Sequence, residues 1–121
     1  MTSDGELDVS ARVGLARLAE AAIARTDGVT PTIGPAGRWQ TVGSEQTIRG
    51  VLAVEDPRGR VHLDLHLAVR WPPQMPLERL GQQVRAHVRR AAGMAGMGAR
   101  LGAVSVAFDD VLTDDVLTES A

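Results

Sequence analysis

His62, Asp64 and His66 stand at alternate positions of one apolar run, so an extended chain there projects all three from the same side. Imidazole and carboxylate groups are zinc ligands and the working groups of acid–base chemistry. The spacing argues against a shared ion. Alternate side chains of a strand lie about 7 Å apart, and no fourth ligand is evident. The simpler reading is a polar sheet face turned to solvent or to a partner, with no metal and no cofactor assigned. The rest of the inventory is thin for catalysis. The chain has no cysteine, lysine or tyrosine, which removes thiolate nucleophiles, Schiff bases, a P-loop lysine and phenolic acids. No serine sits in a nucleophile elbow. No catalytic residue is therefore assigned, and a non-enzymatic protein is expected.

A second group of polar residues lies on a helical stretch. Arg79, Arg85, Arg89 and Arg90, with Gln82, Gln83 and His87, fall mostly opposite an apolar stripe. Guanidinium forks grip carboxylates or phosphates, although a solvated helix face carries such residues as well. Together with His62, Asp64, His66 and Arg70, these four arginines are the candidate partner-binding residues. Gly93-Met94-Ala95-Gly96 spells a GxxG, the loop with which KH domains clamp nucleic-acid backbone. In KH domains that loop joins two helices, whereas a strand is expected to follow here. A glycine-rich turn closing a helix is the favoured reading, and nucleic-acid binding through the arginines and this loop is the alternative.

Charge is divided along the chain. Residues 1–9 and 109–121 contain eight acids and no base, while the stretch between them holds all thirteen arginines against seven acids, for a charge of +6. A basic body with acidic ends suits a charge-steered partner. The second acidic segment contains a direct repeat, Asp109-Asp110-Val111-Leu112-Thr113 then Asp114-Asp115-Val116-Leu117-Thr118. Its period of five matches neither helix nor strand, so it reads as a frayed end or a short docking segment.

The elements that position these residues follow from hydropathy. Leu15, Leu18, Ala19, Ala22 and Ile23 recur at helical spacing, with Ser10 as N-cap and Asp27-Gly28 as the stop. Val29–Ile33 is a short strand that Pro31 confines to an edge. Residues 34–46 read as a mobile loop anchored by Trp39. A strand follows from Thr47 to Glu55, and Asp56-Pro57-Arg58-Gly59 reverses the chain. Val61, Leu63, Leu65, Leu67, Val69 and Trp71 then alternate with polar residues, one face core and one face polar. Pro76 opens a second helix with Leu77, Leu80, Val84, Val88 and Ala91 as its buried stripe. Val104, Val106 and Phe108 alternate as a last strand, parallel to the 61–71 strand because a helix intervenes. The expected fold is α+β, two-layered: a mixed, mostly antiparallel sheet of three or four strands with two helices on one face. Residues 10–108 form the domain, flanked by acidic segments 1–9 and 109–121. With 44% hydrophobic and 23% charged residues, a single folded core is expected. The acidic amino end and the lack of a long apolar run point to a cytoplasmic protein.

Three stretches resemble the bacterial alkaline-shock family of envelope stress response proteins: Leu15–Arg25 leading into Asp27-Gly28-Val29, Val61–Val69 with the following Met75-Pro76 and helix, and Gly93–Phe108 with its closing Val104-Ser105-Val106-Ala107-Phe108. The likeness spans about residues 5–112. It implies a non-catalytic scaffold in cell-envelope homeostasis that self-associates as a homo-oligomer or binds a small integral membrane protein. The membrane would then be met only indirectly, at its inner face through that partner. The resemblance carries over no catalytic residue. The all-arginine basic content and the repeated acidic tail differ from lysine-rich relatives.

Overall fold

The computed structural model describes residues 3–43 and 46–113, with side chains from Ala11 onward. The elements are helix α1 (Ser3–Ala24), strands β1 (Val29–Pro31), β2 (Gln40–Val42), β3 (Thr47–Arg49), β4 (Val51–Glu55) and β5 (Val61–Trp71), helix α2 (Leu77–Met94) and strand β6 (Leu101–Thr113). The α+β class is as expected, and helices and strands follow roughly the expected order.

β5 is the spine of the sheet because alternation along it is unbroken. Val61, Leu63, Leu65, Leu67 and Val69 are each at most 2% exposed, beneath a core that includes Leu15, Ala19, Ile23, Val84 and Val88 from the helices. Burying each such side chain contributes roughly 1.5–3 kcal/mol. β6 runs parallel to β5 from Val61 to Trp71. The antiparallel strands β4, opposite residues 61–65, and β1, opposite 67–69, therefore share the other edge. They meet end to end at Gly50, which adopts φ +73°. A Cβ there would stand 2.6 Å from Pro31 Cβ and 2.8 Å from the His66 carbonyl, so only glycine lets the two strands abut.

Several elements differ from expectation. α1 begins at Ser3, so Ser10 lies inside the helix; no proline interrupts the backbone before it. The expected Thr47–Glu55 strand is split at Gly50, and its first half pairs with Gln40–Val42 as a separate β2–β3 ladder. Residues expected to form a loop thus include a strand. Thr41 seals this ladder onto β4: its hydroxyl donates to the Val51 carbonyl at 2.6 Å and accepts from the Ala53 N–H at 3.1 Å. Pro76 is the N-cap of α2, with φ −55° and ψ 143°, and Leu77 is the first helical residue. Trp71 ends the alternation exposed, at 46%. β6 continues through Asp109–Thr113, so the first unit of the acidic repeat is paired strand rather than a frayed end. Its second unit lies outside the described residues.

Candidate functional site

β6 is irregular at two places, and each serves one histidine of the outer sheet face. Between the pairs Val61–Leu101 and Leu63–Val104, β6 spends one residue more than β5, and it does so again between Leu67–Phe108 and Ala68–Asp110. Such bulges redirect groups that a regular ladder would hold in place. At the first, the Ala103 N–H donates to His62 Nδ1 at 3.0 Å. That assigns the lone pair to Nδ1, so the proton sits on Nε2 and donates to Asp56 Oδ2 at 2.8 Å. The ring lies over Gly102, where a Cβ would approach it to 2.6 Å. Asp56 in turn holds the β4–β5 turn, accepting from the N–H groups of Arg58 at 2.9 Å and Arg60 at 3.0 Å. The hydrogen bond from His62, and then that from Arg60, hold the Asp56 carboxyl below its usual 3.8.

At the second bulge the extra residue is Asp109, whose Oδ2 lies 2.7 Å from His66 Nδ1. His66 Nε2 faces Asp64 Oδ2 at 3.1 Å. Both ring nitrogens thus meet carboxylate oxygens, one from β5 and one from the β6 bulge. Trp39 covers the ring, its centroid 4.2 Å away and its plane tilted by 6°. Gly34, at φ +70°, makes room on the indole's other contact, since a Cβ there would overlap the Trp39 ring. The expectation that even-numbered residues of β5 face outward freely is corrected here. His66 is 9% exposed because Trp39 stacks on it, and Ala68, between β1 and β6, is 2% exposed. His62 and Asp64 remain half-buried and Arg70 exposed. The three polar residues do not converge on one point: His62 turns to Asp56, and only Asp64 joins His66. Among the described residues no group of three or more acidic or histidine side chains is arranged to hold a metal ion.

The four arginines of α2 lie on the other side of the sheet. Arg79, Arg89 and Arg90 are exposed and Arg85 half-buried. Sequence reasoning did not find the concavity next to them. α1 and α2 are tied by Thr26, whose hydroxyl donates to the Ala22 carbonyl at 2.9 Å and accepts from His87 Nδ1 at 2.8 Å. Beside this tie the helices diverge into a groove of about 490 Å³, walled by Leu18, Ala21, Ala91 and Met94 and rimmed by Arg25 and Arg90. Met94 is 83% exposed, a polarizable side chain that adapts to irregular partners. No family model, curated protein or solved structure matches this chain.

The GxxG resolves into a helix stop. Met97 N–H donates to the Ala92 carbonyl at 2.8 Å and Gly96 N–H to the Gly93 carbonyl at 3.1 Å, with Gly96 at φ +75°. This is the Schellman pairing that satisfies the last helical carbonyls. Those N–H groups are spent within the chain, and a single 3-10 turn, Gly98–Arg100, leads directly into β6. No described helix is long and apolar enough to cross a membrane.

Proposed function

We propose that the chain is a non-catalytic interaction domain of the alkaline-shock type, acting in cell-envelope homeostasis by binding itself or a small membrane-anchored protein. The observation that carries this reading is the α1–α2 groove, an apolar concavity of about 490 Å³ with arginines on its rim. A surface of this kind suits a peptide or helix that brings both apolar side chains and acids. The histidines support the same reading from the opposite side of the sheet. Each ring nitrogen of His62 and His66 is committed to a carboxylate or a backbone N–H within the chain, an arrangement suited to fixing strands against one another. Any approach to the membrane runs through the partner.

The test is isolation of the protein from its own cells under mild conditions, followed by sizing and mass spectrometry of what accompanies it. A homo-oligomer or a co-purifying membrane protein is the expected result. A strict monomer with no companion overturns the proposal.

A further inference from the structure

Building on the interaction reading, we infer that the α1–α2 groove is the receptor for residues 114–119 of a second copy of this chain. Two sets of residues are complementary in composition. The groove offers Leu18, Ala91 and Met94 as apolar wall, with the exposed guanidinium groups of Arg25 and Arg90 beside it. The sequence Asp114-Asp115-Val116-Leu117-Thr118-Glu119 offers two adjacent apolar side chains set among three acids, with no base. Carboxylates meeting arginine forks at the rim of an apolar contact supply both orientation and rate of encounter.

The topology favours a second copy over the chain's own tail. β5 ends at Trp71, α2 returns antiparallel to it, and β6 again runs parallel to β5. β6 therefore finishes beside the start of α2, where Val111 and Leu77 line one small cleft. The groove lies towards the other end of that helix. From Leu77, at 1.5 Å per residue, Ala91 and Met94 are about 21 and 26 Å away. From Val111, full extension carries Val116 and Leu117 at most about 18 and 22 Å, and the chain leaves β6 heading the wrong way. No residues are left for the reversal. A tail at one end of the molecule and a groove at the other make a head-to-tail contact, which builds chains or rings rather than a self-complementary dimer.

Sedimentation velocity of the full chain over a range of concentrations tests this, alongside a variant ending at Thr113. The full chain is expected to show species growing beyond the dimer, and the truncated one to associate at least about tenfold more weakly while melting at the same temperature. Arg25→Glu/Arg90→Glu and Asp114→Arg/Asp115→Arg should each weaken self-association, and a mixture of the two should restore it. Unchanged association of the truncated chain, as pairing through the open edge of β6 would give, overturns the assignment. So do groove reversal without effect and restoration that fails in the mixture. Recovery of a different companion by the truncated chain, from the same mild isolation, sinks the tail assignment while leaving the interaction reading standing; a lone monomer at every concentration sinks both.

Discussion

Asp56 and His62 form a pair whose effect on stability has a definite sign with pH. The carboxyl is held below its usual range in the folded chain. Its contribution is therefore fully present above the unfolded value near 3.8 and is lost as pH falls through the lower folded value. In thermal melts, Asp56→Asn should melt below the parent at pH 6, and the gap should close as pH is taken below 3.8; a gap that persists at the lowest pH contradicts the assignment. His66 behaves differently because it sits between two acids. His66→Phe keeps a flat ring against Trp39 but takes from Asp64 and Asp109 the ring nitrogens they meet. A loss of about 1.5–3 kcal/mol is expected in urea unfolding at pH 7, and adding Asp109→Asn to it should cost little more. Neither partner was legible in the sequence. Asp56 reaches His62 by way of a turn, and Asp109 reaches His66 only because a bulge shifts β6 by one residue, and no periodicity announces either.

At the level of elements, alternation and glycine do different work. The run from Val61 to Val69 announced β5 and its buried face directly, since every second residue is a large aliphatic. Leu65, wholly buried at the centre of that run, should cost about 2–5 kcal/mol when replaced by alanine. What the pattern could not show is where strands meet end to end. Gly50 and Gly28 both have positive φ, yet a Cβ at Gly50 overlaps Pro31 and the His66 carbonyl, whereas nothing lies within 4 Å of one at Gly28. Gly28→Ala should therefore lose about 1–2 kcal/mol for its conformation alone. Gly50→Ala should lose more, and equal losses in urea unfolding would contradict the abutment of β1 and β4. The reach of β6 through Asp109–Thr113 was hidden for a similar reason: its acids read as a solvated tail, while backbone pairing to residues 68–71 is indifferent to them.

For the whole molecule, the division of charge acquires a geometry. The arginines of α2 and the α1–α2 groove occupy the helical side, while His62 and His66 are locked into the outer sheet face by acids from a turn and a bulge. The helical side carries the apolar concavity of about 490 Å³, and the proposed association is placed there. The direct measurement is a series of amide NMR spectra of the full chain at rising concentration. Progressive shifts gathered on Leu18–Arg25 and His87–Ala95 are the predicted result; shifts confined to residues 62–70 or to β6, or spectra unchanged up to millimolar protein, would contradict it.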